Sequence, residues 1–154
     1  ACSARYLDHL GSMNLTAEQM QFLEEIPDPM FRESVRDFMV NQQFRMDYWV
    51  KGVRQLNPLE KSEALRQFEV VLVTKRSNVV LKATGALGES TMNTDVYDPI
   101  LDILADLQPR SLGQIETAVR DNNISLVQVL EVAMVLAGTG QLCAVQESSV
   151  ISQA

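Results

Sequence analysis

The chain has 154 residues, 46% hydrophobic and 21% charged, a length and balance that support one compact domain, or two small lobes sharing a core, and exclude intrinsic disorder. No apolar run approaches the roughly 18–20 residues that cross a bilayer, the start carries no signal-peptide pattern, and Cys2 and Cys143 stand far apart without metal or redox spacing, so a cytoplasmic setting away from membranes is expected. The formal net charge of −7 is uneven: residues 95–154 hold only Arg110 and Arg120 against eight acids, a surface that repels phosphate backbones and argues against nucleic acid as a partner.

Thr16-Ala17-Glu18-Gln19 reads as a capping box opening a first helix, which Pro27 stops. Asp28 then offers an N-cap with Pro29 at the first helical position, and Phe31, Val35, Phe38 and Met39 recur at helical spacing, which predicts a helix over about 29–43. From Phe44 to Lys51 the period becomes two: Phe44, Met46, Tyr48 and Val50 form one row and Arg45, Asp47, Trp49 and Lys51 the other. That is strand alternation, with the apolar row expected to face a core. Asn57-Pro58-Leu59-Glu60 opens a short helix to about Arg66. Phe68–Thr74 and Val79–Thr84 read as two strands joined at Lys75-Arg76-Ser77-Asn78, a hairpin.

The rest is helical. Asp95 can cap a helix carrying Ile100, Leu101, Ile103, Leu104 and Leu107, which Pro109 closes. Ser111-Leu112-Gly113-Gln114 and Ser125-Leu126-Val127-Gln128 are two further capping boxes. The last helix reaches about Ala137, with Gly138 and Gly140 for its stop and Gln141–Val145 as a strand. Three helices, a glycine turn and a strand describe a helix-turn-helix with a rudimentary wing. The fold class expected is α+β, mainly helical, with a small antiparallel sheet and a winged-helix-like C-terminal part. Its parts are residues 1–94, 95–147 and a tail over 148–154, together one compact accessory domain of a longer protein.

Catalytic constellations are hard to assemble from these residues. Gly138-Thr139-Gly140 follows a helix rather than a strand, and Gly85-Ala86-Leu87-Gly88 lacks the long helix that a nucleotide-binding glycine loop requires. His9, the single histidine, lies in a polar segment with no nucleophile in a recognised elbow and reads as a surface residue. Glu24/Glu25 and Asp98/Asp102 have the spacing of solvated helix faces, and seven methionines are explained by core packing. No catalytic, cofactor-binding or metal-binding residue is expected.

The segment from Arg32 to Lys51 carries Asp37-Phe38, then Asn41, then Phe44-Arg45. This pattern resembles the signature of the predicted methyltransferase regulatory domain, a family found C-terminal to class I S-adenosylmethionine-dependent methyltransferase domains. The order that follows is also similar: a short Pro-capped helix, a hairpin, Tyr97-x-Pro99-Ile100-Leu101, and a helical end closing on Gly138-x-Gly140-Gln141. The resemblance implies a regulatory or substrate-recruiting accessory domain that is not catalytic by itself. It also implies S-adenosylmethionine bound in an upstream methyltransferase domain of the same chain, and no cofactor here. Two rival readings are a dimerisation module of winged-helix fold, pairing as a homodimer, and a winged-helix transcription regulator. Against the latter, the last helix presents Gln128 and Glu131 but no Lys or Arg.

Two readings of the motif stand side by side. In one, Phe38 and Phe44 are core residues, Asn41 ends a helix, and Arg45 pairs with Asp37 or Asp47. In the other, the row of Arg45, Asp47, Trp49 and Lys51 is an interaction surface, with Trp49 its anchor and with the methyltransferase domain or a second copy as its occupant. The second depends on the strand register. Were residues 44–51 to continue the helix, Trp49 would fall beside Phe38, Gln42 and Arg45 and could belong to a core.

Overall fold

The structure is a computed structural model that describes residues 2, 3, 5–52 and 54–146. Its contacts group the chain into two compact units, Ala1–Val53 with Lys82–Thr91, and Arg54–Leu81 with Met92–Ala154. This grouping differs from the sequence division at residue 94, because the helix after Asn57 and the strand after Phe68 join the C-terminal helices. The tail at 148–154 lies outside the described residues. Among the described residues no helix is long and apolar enough to cross a membrane.

In the first unit a two-residue strand, β1 (Cys2–Ser3), leads through a 3-10 turn at Tyr6–His9 into α1 (Gly11–Asn14), α2 (Ala17–Glu24) and α3 (Pro29–Met39). The Thr16/Gln19 capping box closes reciprocally, and Asp28 accepts from the Phe31 amide at 2.7 Å, so both starts lie where the local chemistry puts them. Leu15, Leu23 and Ile26 form a small core, with Met20, Val35, Met39 and Val40 against it. The predicted strand over residues 44–51 shrinks to β2 (Asp47–Tyr48), antiparallel to β1 with Ser3 opposite Asp47.

In the second unit α4 (Pro58–Gln67) starts on the Asn57/Glu60 box, and β3 (Glu69–Leu72) follows. Here the predicted hairpin is corrected. Residues 68–74 do not pair with 79–84; Arg76–Asn78 is a short 3-10 turn. The hairpin lies further on, as β4 (Lys82–Gly85) and β5 (Gly88–Thr91), and belongs to the first unit. Gly85 pairs with Gly88 around Ala86 and Leu87, and the φ of +116° at Gly88 is one that side-chain-bearing residues avoid. The turn is held by the buried Asn14, whose side-chain oxygen accepts from the Ala86 amide at 3.1 Å while its amide donates to the carbonyls of Leu7 and Leu10.

The strand β3 instead becomes the centre of a three-stranded antiparallel sheet. It lies between β6 (Arg110–Ser111) and β7 (Leu142–Ala144). Around it are α5 (Thr94–Ile103), α6 (Leu112–Ala118) on the Ser111/Gln114 box, and α7 (Leu126–Gly138) on the Ser125/Gln128 box. Val70, Leu72, Ile100, Leu101, Leu112 and Leu136 are among the fully buried side chains of this core. Gly138 ends α7, and Gly140, at φ +74°, turns the chain. The Gln141 side chain then donates to the Val80 carbonyl at 3.0 Å and accepts from the Val80 amide at 2.6 Å, filling the place of a strand partner. Arg66 on α4 holds Glu116 on α6 through two hydrogen bonds of 2.7 and 3.1 Å, which keeps that carboxyl below the usual carboxylate range.

Two predictions follow from this packing. A Cβ added at Gly85 would lie 2.2 Å from the backbone oxygen of Met13, and backbone cannot swing aside as a side chain can. Gly85→Ala should therefore cost about 1–3 kcal/mol, read as a lowered urea midpoint with an unchanged slope. Tyr97 is buried on α5, and burial, with a smaller contribution from the Glu131 carboxylate, pushes its phenol up to about 12. The unfolded chain releases that proton near pH 10, so the stability Tyr97 contributes is complete below pH 10 and lost as pH rises towards 12. A melting-temperature series from pH 8 to 12 should fall less steeply for Tyr97→Phe than for the wild type.

Candidate interaction surface

The chain leaves α3 through a left-handed residue, Asn41, at φ +52°, one of the few residue types that tolerate that region. The Gln42 amide donates back to the Asp37 carbonyl at 2.8 Å, and the Gln42 side chain donates to the carbonyl of Phe44. The helix therefore stops at Met39 rather than near residue 43, and the chain turns back along it.

That reversal brings Arg45 over α3. Its Nη1 donates to Glu33 at 2.9 Å and to Asp37 at 3.1 Å, two carboxylates one helical turn apart on the same face. Its Nη2 donates to Asp47 Oδ2 at 2.9 Å, and its Nε lies 2.8 Å from Asp47 Oδ1. One guanidinium thus ties three carboxylates, with the fork geometry that only arginine presents. The hydrogen bond to Asp47, opposed by partial desolvation and aided by Asp37, Asp47 and Glu33 charges, holds Arg45 more firmly protonated than usual. Nearby, the buried Arg36 donates to the carbonyl of Asp8 at 2.7 Å, and Asp8 accepts from the Ser3 hydroxyl at 2.7 Å. His9 donates from Nε2 to the Ser3 carbonyl at 2.9 Å, so the histidine helps to hold β1.

The facing of residues 44–48 is consequently the reverse of the expected one. Arg45 and Asp47, placed by the alternation on an outer row with Trp49 and Lys51, turn inward, their side chains 14% and 15% exposed. The row expected to be core points outward: Phe44 is 87% exposed, and Met46, Tyr48 and Val50 are each exposed by about two-thirds. Phe38, also expected in a core, is 87% exposed. Trp49 and Lys51 are exposed, Trp49 by 72%, so residues 44–51 do not continue the helix into a core. The pairing of Arg45 with Asp37 and Asp47, one of the two sequence readings, is present, and Glu33 is the partner that reading missed. Its signal was there: Glu33 and Asp37 share the i, i+4 spacing of one helix face.

An open cavity of about 390 Å³ lies beside this segment, lined by Ser34, Asp37, Phe38, Asn41, Gln42 and Gln43. Among the described residues there is no group of three His, Cys, Asp or Glu side chains able to hold a metal ion. Gly138 and Gly140 stand at a helix end, and Gly85 and Gly88 in a hairpin turn. The arrangement displays exposed aromatic and aliphatic side chains on a short segment that an ionic network pins to a helix.

If that network sets the display, its loss must show in stability and in shape. Arg45→Ala leaves three carboxylates facing one another and should cost about 1–3 kcal/mol. Arg45→Lys, which keeps the charge without the fork, should fall between the variant and the wild type in urea denaturation.

Comparison with known proteins agrees in where it falls. A family model described as a predicted methyltransferase regulatory domain matches residues 1–51. The uncharacterized protein sll1526 of Synechocystis sp. is 33% identical over 138 residues, covering 90% of this chain and 27% of the relative. The chain thus spans about a quarter of the length of the curated relative it matches. No solved structure matches it. Residues 1–51, which hold α1 to α3, the arginine network and the exposed aromatic side chains, are the stretch that is similar to the predicted methyltransferase regulatory domain family.

Proposed function

We propose that this chain is a regulatory or substrate-recruiting accessory domain of an S-adenosylmethionine-dependent methyltransferase, acting by contact rather than by chemistry. The observation that carries the reading is the coincidence of the family match with the exposed aromatic segment: residues 1–51 contain Phe38, Phe44, Met46, Tyr48, Trp49 and Val50, all largely exposed. A surface rich in Trp, Tyr, Phe and Met is the composition of an interface centre. The larger part of the curated relative lies outside the aligned stretch, room for the methyltransferase domain that would bind the cofactor in the full-length enzyme.

The second unit supports a non-catalytic role. Its helices α5, α6 and α7 followed by β7 have the order of a winged helix, with β3 in the place that a returning wing strand would take. We read it as a winged-helix-like framework. Its α7 carries no Lys or Arg, so duplex DNA is not its partner in this reading. The setting we propose is cytoplasmic.

The test is cofactor binding. Calorimetric titration with S-adenosylmethionine should find no site on this chain, whereas the complete Synechocystis relative, and a version lacking the aligned stretch, should both bind it. A micromolar site on the isolated chain would overturn the accessory reading, and so would failure of the complete relative to bind.

A further inference from the structure

Deepening that reading, and resting on its claim that the segment around Trp49 is a contact surface, we propose that the β4–β5 hairpin is a detachable strap whose latch, Asn14, fixes how that segment is held. The hairpin is cohesive in itself. Four cross-strand pairs, from Lys82 with Thr91 to Gly85 with Gly88, and a 2.7 Å ion pair between Lys82 and Glu89 all lie within residues 82–91. Its attachment is thin. Ala83 is its one buried side chain, every residue of β5 is exposed, and so is Leu87 at the turn. What holds the turn to α1 is polar: the Ala86 amide donates to the Asn14 side-chain oxygen at 3.1 Å, and the Leu87 amide donates to the Met13 carbonyl at 3.3 Å. A two-stranded hairpin with so little buried face is weakly held, and elements with few buried apolar contacts open locally, below the free energy of global unfolding.

Asn14 faces two ways. Its oxygen takes the hairpin, and its amide donates to the carbonyls of Leu7 and Leu10, at 2.7 and 3.0 Å, within and just after the 3-10 turn Tyr6–His9. Asp8 of that turn accepts from the Ser3 hydroxyl at 2.7 Å and, through its carbonyl, from Arg36 at 2.7 Å. Cys2 and Ser3 form β1, opposite Tyr48 and Asp47 of β2, and Trp49 follows directly. The hydrogen bonds therefore run without a break from the hairpin tip to the strand beside Trp49. A buried amide is sensitive to the loss of either set of partners, because the atom left unpaired does not reach water. When the tip lets go, the Asn14 oxygen is orphaned and the side chain loses the geometry that holds the two carbonyls. The turn, β1 and then β2 loosen with it. The two-state element is the tip, and the bonds carry its state to β2. Docked, the strap keeps the segment after β2 ordered before any partner arrives, which lowers the entropy cost of covering it. Released, the hairpin keeps its root, where the Met92 amide donates to the Leu81 carbonyl at 3.0 Å and Gln141 holds Val80.

Amide exchange of the intact chain, followed residue by residue by NMR, tests the strap. In the wild type, Ala86 and Leu87 should exchange through an opening whose rate low urea leaves unchanged, while Leu104 and Val119, in the core of the second unit, speed up with urea as global unfolding does. Ala86→Pro removes the donor to the latch and suits the turn, since neither Ala86 nor Leu87 has a positive φ. It should speed the exchange of Asp8, Leu10 and the β1 and β2 amides roughly tenfold, about one hydrogen bond's contribution, and leave Leu104 and Val119 at wild-type rates. The fluorescence anisotropy of Trp49, the single tryptophan of the chain, should fall in the same variant. Asn14→Ala should act at the same places more strongly. If Ala86 and Leu87 in the wild type exchange only with global unfolding, the strap is not detachable and the proposal fails, whatever the variants do. It fails too if Ala86→Pro leaves Asp8, Leu10, β1 and β2 unchanged, or if Leu104 and Val119 lose protection along with them, which marks a global effect. None of these results bears on the accessory reading, which the cofactor titration judges separately.

Discussion

The first unit depends on one guanidinium. Arg45 is largely withdrawn from water, and a cation can be so placed only where opposite charge and hydrogen bonds replace its hydration. Glu33 and Asp37 supply that from α3, and Asp47 supplies it from two residues further along the same segment. Because side chains alternate along an extended chain, turning Arg45 and Asp47 inward turns Phe44, Met46 and Tyr48 outward. The ionic network and the exposed apolar surface are therefore one feature.

Such an arrangement runs against the ordinary hydrophobic ordering, in which the apolar row is the buried one. The small size of the core around Leu15, Leu23 and Ile26 shows why it is possible. Val35, Met39 and Val40 already occupy the apolar side of α3 against that core. The other side of the helix offers carboxylates, and an incoming strand that must lie on carboxylates does better to present Arg45 than Phe44. The second unit is the contrast. There β3 places Val70 and Leu72 in a core with α5, α6 and α7, and its two neighbouring strands satisfy its backbone on both edges.

What the sequence made legible was local. The pairs Thr16/Gln19, Asn57/Glu60, Ser111/Gln114 and Ser125/Gln128 each form a reciprocal capping box, because every atom involved lies within four residues. Strand pairing is not local. Val70 and Leu72 alternate as a strand should, yet nothing in residues 68–84 says that their partners are Arg110–Ser111 and Leu142–Ala144 rather than the next extended stretch. The same limit governs residues 44–51. Alternation separates the two rows without saying which faces inward, and the deciding carboxylates, Glu33 and Asp37, lie on another element. Asn41 was legible as a helix end, but its left-handed turn, which folds the chain back over α3, is what brings Arg45 within reach of them.

The chemistry-bearing side chains are mostly spent on structure, and this shapes what the molecule can do. Arg45 consumes Glu33, Asp37 and Asp47; Arg66 holds Glu116 and Glu63; Arg76 bridges Asp98 and Asp102, one turn apart on α5. The phenol of Tyr97 is buried, and that burial raises its pKa to about 12. Carboxylates tied to arginines lose the freedom that proton transfer asks of an acid or a base. The uncommitted resource of the first unit is apolar surface, and apolar surface recognises by being covered. A segment whose arginine is paired internally and whose aromatic side chains face water can recognise only by being covered by another surface.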